Sequence, residues 1–164
     1  MKTLLVLRHA KSSWNEPGVD DHERSLNARG RRDARRMGDL VREQGLIPDV
    51  IISSDALRAR LTAEAVAEAA HYAGEIVFDH RLYLASAADI VAVLRTVPET
   101  KAETVMIVGH NPGFEQLVAQ LTREQQDFPT AALAQIALPV DQWDEVEAST
   151  RGALLELWRP KEVM

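Results

Sequence analysis

The segment T-L-L-V-L at residues 3–7, followed directly by Arg8 and His9, decides the fold class of this 164-residue chain. Such a short apolar run is typical of a strand that is buried on both faces of a sheet. D-V-I-I-S at 49–53 and T-V-M-I-V at 104–108 have the same character. The spacing of apolar residues predicts four helices, at 27–44, 56–72, 86–97 and 112–123. Alternating buried strands and helices predict an α/β domain in which helices cover a mainly parallel sheet.

Three weaker strands are predicted at 76–78, 133–138 and 153–158. The last two carry interleaved polar residues, which favours antiparallel strands at an edge of the sheet or in a hairpin. No repeat, low-complexity tract or long linker divides the sequence. We therefore expect residues 1–164 to form one three-layer αβα domain.

The composition is that of a globular protein, with 46% apolar and 27% charged residues. The chain has no cysteine, which excludes disulfides, thiolate zinc sites and cysteine nucleophiles. No apolar run is long enough for a signal peptide or a membrane span, so we expect a cytoplasmic protein. The net charge of −6 argues against broad binding to nucleic acid or to anionic membranes. The first sixty residues nevertheless hold 12 basic and 9 acidic side chains, so we expect an anionic ligand to bind there.

Polar residues that suit phosphate chemistry follow each of the three buried runs, where open α/β sheets bind their ligands. They are R-H-A-K at 8–11, S-S at 53–54 with Arg58 and Arg60 beyond, and G-H-N-P-G at 109–113. A neutral imidazole is a competent nucleophile toward phosphorus, and a guanidinium can hold a phosphoryl group with two hydrogen bonds. The third segment opens a predicted helix, whose free N–H groups suit an anion. Arg58 and Arg60 point to different sides of one helix, and we expect only Arg58 to reach the site.

These segments resemble the histidine phosphatase superfamily, which includes phosphoglycerate mutases, acid phosphatases and the SixA protein-histidine phosphatases. The form R-H-A-K, with K-S-S-W running from its lysine, is more similar to the SixA branch. Further matches occur in family order along nearly the whole chain: D-x-x-R-x-L-N-x-R-G at 21–30, P-D-V-I-I-S-S at 48–54, L-R-A-R-x-T-A-E at 57–64, R-L-Y at 81–83 and P-T-A-A-L at 129–133. The resemblance implies a phosphoglycerate mutase-like fold and a reaction that needs no metal or other cofactor.

The resemblance also implies the roles of the site residues. His9 would be the nucleophile and would carry the phosphoryl group as phosphohistidine, while Arg8, Arg58 and His110 would surround the phosphoryl oxygens. Asn15 and Asn111 are further candidates for binding phosphate or substrate. The mutases have a carboxylate general acid in the segment that corresponds to R-L-Y-L-A at 81–85, and this segment contains no carboxylate. Asp79 and Asp89 are the nearest carboxylates in sequence, but we expect them to serve as strand-end and capping residues. An imidazole can leave without a strong enzyme acid, so this departure favours an N–P bond over an O–P ester.

The sequence therefore predicts a metal-independent phosphatase that acts on phosphohistidine of a protein. The compact chain shows no insertion of the kind that caps the pocket of the larger members. A small-molecule phosphomonoesterase with the same pocket is the alternative within enzymes. A non-catalytic module that binds phosphate or a phosphoprotein is the alternative from another class.

Five arginines cluster in the predicted helix at 27–44: Arg29, Arg31, Arg32, Arg35 and Arg36. No aromatic residue interleaves with them, which argues against nucleic acid. We expect a solvated helix face with i,i+4 ion pairs such as Asp39 with Arg35, and we retain docking of an acidic partner protein as a second role. His22, His71 and His80 lie outside any motif and are expected to be structural or surface residues. Their spacing predicts no metal site.

Overall fold

The computed structural model describes residues 1–14, 16–98 and 102–163. Within these residues, six strands form one sheet: β1 (Lys2–Arg8), β2 (Val50–Ser53), β3 (Ile76–Phe78), β4 (Thr104–Gly109), β5 (Leu133–Leu138) and β6 (Ala153–Trp158). Helices occupy the intervening segments and the C-terminal end: α1 (Ala28–Glu43), α2 (Leu57–Ala70), α3 (Ala87–Leu94), α4 (Gly113–Thr122) and the short α5 (Pro160–Val163).

The sheet has the strand order β3-β2-β4-β1-β5-β6. The first four of these strands are parallel, and β5 and β6 are antiparallel to their neighbours. This arrangement confirms the predicted mainly parallel sheet with an antiparallel edge, which is β6. β5 lies between β1 and β6 rather than at an edge, because most of its side chains are buried while those of β6 remain largely accessible.

Helices cover both faces of the sheet, and β1 contributes side chains to the apolar core on each face. Leu5 and Leu7 pack with Met37 of α1 and Val66 of α2 in one apolar core. Leu4, Val6 and the alternate residues of β4 pack with α3 and α4 in a second core. Because successive strand residues face opposite sides, a strand buried on both faces must be apolar throughout.

Side-chain caps mark the first residues of α1 and α3. Asn27 caps α1 by accepting a hydrogen bond from the Gly30 amide at 2.8 Å. Ser86 and Asp89 form a capping box at the start of α3, as expected for Asp89. The helix predicted to reach Val97 ends earlier, at Leu94. Pro98 follows Val97, and the residue before a proline is disfavoured in the α conformation.

Gly30 permits α1 to approach the loop that follows His9. A Cβ atom on Gly30 would overlap the carbonyl oxygen of Lys11. Alanine is favoured over glycine inside a helix by about 1 kcal/mol, but this overlap opposes that gain. We expect Gly30→Ala to lower the free energy of unfolding by about 1–3 kcal/mol, measured by urea denaturation. Arg31→Ala at the adjacent exposed position is the control, and a Gly30→Ala variant as stable as the parent would contradict this account.

Candidate active site

The strand register brings the three polar segments to one edge of the sheet. Arg8 at the end of β1 lies beside Gly109 of β4, and Ser53 at the end of β2 lies beside Val108. A pocket of about 260 Å³ opens at this edge. Arg8, His9, Arg58, His110 and Asn111 all line it. Residues separated by up to about a hundred positions in sequence thus share one cavity, because parallel strands end together.

His9 is buried and has a defined ring orientation. Its Nδ1 lies 2.8 Å from the carbonyl oxygen of Ala10. A carbonyl can only accept, so Nδ1 carries the proton and Nε2 keeps a free lone pair. Burial, together with the charges of Arg58 and Arg8, lowers the pKa of His9 to about 3. At neutral pH the ring is therefore uncharged and can act as a nucleophile through Nε2.

His110 is a second buried neutral imidazole, with its ring centroid 5.2 Å from that of His9. Its Nε2 lies 2.8 Å from Oγ of Ser54, which accepts a hydrogen bond from the Ala56 amide. Donation from the Ser54 hydroxyl to Nε2 corresponds to the His110 tautomer that carries its proton on Nδ1. Burial lowers the pKa of His110 to about 3, with a further contribution from His9. Ser54 lies in the S-S pair at 53–54, but its role as the partner of His110 could not be read from sequence.

Two arginines frame the histidines. Arg58 is buried and donates to the Asp21 backbone oxygen at 2.7 Å and to its carboxylate at 3.0 Å. Arg8 donates to the carbonyl oxygen of Phe128 at 3.1 Å. Within the part of the chain that the structure describes, Nε of Arg8, Nε of Arg58 and Nδ1 of His110 are buried without a hydrogen-bond partner. Buried donors of this kind are costly unless a ligand satisfies them, and oxygen atoms are their natural acceptors.

Asp21 is a site residue to which the sequence motif assigned no role of its own. Its carboxylate accepts hydrogen bonds from Arg58, from the Tyr83 hydroxyl and from Nε of Arg24. Burial alone would raise the pKa of Asp21, but the hydrogen bonds from Tyr83 and Arg58 outweigh it and lower the pKa to about 2. Arg24 also covers the ring of Trp14 at 3.5 Å. The sequence motif D-x-x-R at 21–24 held both residues, but nothing in it indicated that they meet Arg58.

Other predicted residues have different surroundings. The side-chain amide of Asn111 donates to Phe128 and Glu115 and its oxygen accepts from the Glu115 amide, so its phosphate contact stays a prediction. In the first turn of α4, the Phe114 amide donates to the His110 carbonyl and the Glu115 amide to the Asn111 side-chain oxygen, so neither is free for an anion. Arg60 lies over the ring of Phe78, away from the pocket lining. Asn15 lies outside the described residues.

The arginine-rich face of α1 is partly neutralised within the helix. Arg29 pairs with Asp33 and Arg36 with Glu43. Asp39 pairs with Arg42 instead of the expected Arg35, because i,i+3 neighbours also meet on a helix surface. Docking of an acidic partner on this face stays a prediction.

Comparison with known proteins identifies the family. Residues 4–83 match the model of the histidine phosphatase superfamily (branch 1). An uncharacterized protein of Mycobacterium tuberculosis is 30% identical over 154 residues, which cover 86% of this chain and 92% of that protein. The chain belongs to the histidine phosphatase superfamily. A crystal structure of a candidate phosphohistidine phosphatase SixA from Agrobacterium tumefaciens superposes with a TM-score of 0.83 and 30% identity, covering 97% of this chain and 98% of the other.

This histidine phosphatase is of the SixA type and has the phosphoglycerate mutase-like fold. The structure of the protein histidine phosphatase SixA complexed with tungstate matches with a TM-score of 0.84 over 99% of both chains, at 21% identity. An uncharacterized chloroplastic protein of Arabidopsis thaliana is 27% identical over 90% of this chain and 71% of its own length. No helix in the described part of the histidine phosphatase is both long and apolar enough to cross a membrane.

The depressed pKa values of His9 and His110 can be tested directly by NMR. An ordinary histidine, with a pKa of about 6.5, is mostly protonated at pH 5. A lowered pKa moves proton binding to lower pH, so the imidazole resonances of His9 and His110 should stay constant from pH 8 to about pH 5. His9→Ala and His110→Ala variants assign the signals. A titration midpoint near 6.5 for His9 would contradict a nucleophile that is uncharged because it is buried.

The two arginines of α2 offer a matched pair for mutation. Arg58→Ala removes a guanidinium from the pocket and should lower kcat by about 10²–10³-fold, the usual cost of deleting a donor that stabilises developing charge. Arg60→Ala removes the same side chain two residues away and should leave kcat within about twofold. Arg58→Lys, which keeps the charge but loses the two-pronged donor, controls for folding and should remain impaired. Equal losses for Arg58→Ala and Arg60→Ala would contradict the assignment.

Proposed function

We propose that this protein is a metal-independent phosphatase that removes the phosphoryl group from phosphohistidine on a protein through a phosphohistidine intermediate at His9. The observation that carries the proposal is the protonation state of the pocket. It combines two uncharged imidazoles with cationic side chains, and its one described carboxylate is ionised and engaged. Such a pocket suits nucleophilic attack on a phosphoryl group and offers no carboxylic acid to protonate a leaving group.

In the first step, Nε2 of His9 attacks phosphorus in line with the leaving nitrogen. The bond between phosphorus and Nε2 forms as the bond between phosphorus and the substrate imidazole breaks. The Nδ1–H···O bond to Ala10 supports the positive charge that develops on the His9 ring. Arg8, Arg58 and Nδ1–H of His110 would donate to the three equatorial oxygens, which satisfies the buried donors that lack a partner in the described structure.

In the second step, water attacks the phosphorylated His9. The new P–O bond forms as the bond from phosphorus to Nε2 breaks, and inorganic phosphate leaves with the proton balance completed by solvent. His9 returns to its neutral form because burial disfavours the imidazolium. The same set of donors serves both steps, since both pass through the same distribution of charge on the phosphoryl oxygens.

The leaving group distinguishes the substrate classes. A phosphorylated imidazole can be protonated on its other ring nitrogen and then leaves as a neutral ring, whereas an alkoxide needs a proton from an acid. Asp21, with a pKa of about 2, holds no proton at neutral pH. Its oxygens are also occupied by Arg58, Arg24 and Tyr83. These features support a phosphoramidate over an alkyl phosphate ester.

The rim of the pocket supports a substrate carried on a protein. Trp14 and Leu84, which are 72% and 56% exposed, line the pocket entrance. Exposed apolar side chains beside a polar site are typical of protein contact surfaces. A neighbouring groove of about 530 Å³ shares Arg8 and Asn111 with the pocket and continues to Arg159. The cytoplasmic location predicted from sequence stays a prediction.

A comparison of substrates tests the proposal. With chelator present, the enzyme should turn over a phosphohistidine protein with a kcat/KM at least about tenfold above that of alkyl phosphate esters, since one leaving group needs an acid and the other does not. Release of inorganic phosphate is the measurement. A wide preference for esters would instead identify a small-molecule phosphomonoesterase.

Trapping the intermediate provides the control. Rapid quenching with a labelled phosphodonor should label the protein in an acid-labile form, and His9→Ala should abolish the label. His71→Asn, which changes an exposed histidine outside the pocket, should leave the label unchanged. Absence of both label and turnover would favour a module that binds phosphate without catalysis.

A further inference from the structure

A second group of histidines lies outside the phosphate pocket. His22 belongs to the turn Asp21–Glu23, Asp55 lies between β2 and α2, and His80 begins the turn His80–Leu82. Nε2 of His22 is 2.8 Å from Oδ1 of Asp55, and Nδ1 of His80 is 2.9 Å from Oδ2 of the same carboxylate. One atom from each of these three residues lies within 4.8 Å of the other two. Their separation by 25 and 33 positions hides the group from any analysis of sequence spacing.

These three side chains are of the types that bind transition metals. Two imidazole nitrogens and one carboxylate oxygen are common ligands of Zn²⁺, with bonds of about 2.0–2.2 Å. Tetrahedral geometry then requires ligand atoms about 3.3 Å apart, which lies between the 2.8 Å and 4.8 Å separations of this group. Small side-chain rotations would therefore be enough to accept an ion. The chain has no cysteine, so no thiolate competes with these nitrogen and oxygen ligands.

A carboxylate behind His22 supplies an independent sign of a metal ligand. Nδ1 of His22 is 3.1 Å from Oε1 of Glu23, while Nε2 faces Asp55. When Nε2 binds a metal, the ring proton must be on Nδ1. There the N–H group can donate a hydrogen bond to the Glu23 carboxylate. Histidine ligands of metals usually donate their second nitrogen to a carboxylate in this way, which fixes the tautomer and the ring orientation. The edge contact of His22 with the Tyr83 ring, at 4.8 Å between centroids, further restricts the ring.

We propose that His22, Asp55 and His80 bind one divalent transition-metal ion, with Zn²⁺ as the best match, and leave a fourth position to water. None of these three is among the described residues that line the phosphate pocket, so the ion takes no part in the proposed reaction. It ties together the three segments that carry these ligands. His22 adjoins Asp21, the partner of Arg58, and Tyr83 packs against His22, His80 and His110. The ion is therefore a structural clamp at the side of the active site.

Metal titration of the tag-free, chelator-treated protein tests this site. Isothermal calorimetry with Zn²⁺ should give one ion per chain, and Co²⁺ should give the visible absorption of a nitrogen- and oxygen-ligated ion. His80→Ala and Asp55→Asn should each weaken binding at least tenfold. The His80 side chain is 72% exposed, so its removal leaves the fold intact and keeps the test valid. Saturating Zn²⁺ should also raise the Tm of the parent by about 5 °C.

Two controls separate this site from other histidines. His71→Asn alters an exposed histidine in the left-handed conformation at the end of α2, which asparagine also tolerates, and should bind Zn²⁺ like the parent. His9→Ala should also keep full binding. Loss of binding in His9→Ala with retention in His80→Ala would place the ion in the phosphate pocket and overturn the proposal. Absence of stoichiometric binding, or equal binding in all variants, would overturn it as well, whatever the outcome of the phosphatase assays.

Discussion

The uncharged state of His9 in a cationic pocket is the condition on which the rest of the site depends. An imidazolium cannot attack phosphorus, yet a pocket for a phosphoryl group must be positively charged. Burial and the nearby guanidinium groups resolve this conflict, because both disfavour a proton on His9 and lower its pKa to about 3. The cationic groups that would bind substrate therefore also keep the nucleophile ready. The Ala10 carbonyl completes the arrangement by selecting the tautomer with a free Nε2.

Asp21 balances the charge that this arrangement concentrates. A buried guanidinium without a counter-charge would be costly, and Arg58 meets the Asp21 carboxylate at 3.0 Å. The pairing leaves Nε of Arg58 buried without a partner among the described residues. Asp21 thus holds the arginine in place without consuming all of its donors. The same carboxylate accepts from Tyr83, whose ring packs against His110, so one acid links the positions of both an arginine and a histidine.

The strands and helices could be predicted from local sequence patterns, whereas the side-chain contacts within the site could not. β1, β2 and β4 are continuous apolar runs because each is buried on both faces, and this pattern is visible in sequence. Parallel strands end at one edge, so the positions of His9 and His110 directly after two such runs predict that they lie together. Asp21, Ser54 and Tyr83 could not be assigned, because their roles arise from contacts between side chains 37, 56 and 62 positions apart. The interior position of β5 likewise depends on its pairing with β1.

The distribution of charge restricts the kind of anion that this surface accepts. The whole chain carries a net charge of −6, but the pocket is lined by four cationic side chains, Arg8, Lys11, Arg24 and Arg58, against one carboxylate. At physiological salt, charges more than about 8 Å apart are largely screened where they are exposed to solvent. A phosphoryl group in the pocket therefore experiences mainly the nearby cations. An extended polyanion would also contact the acidic remainder of the surface and be repelled by it. A compact phosphoryl group satisfies both conditions, because it reaches the pocket without spreading negative charge across the rest of the molecule.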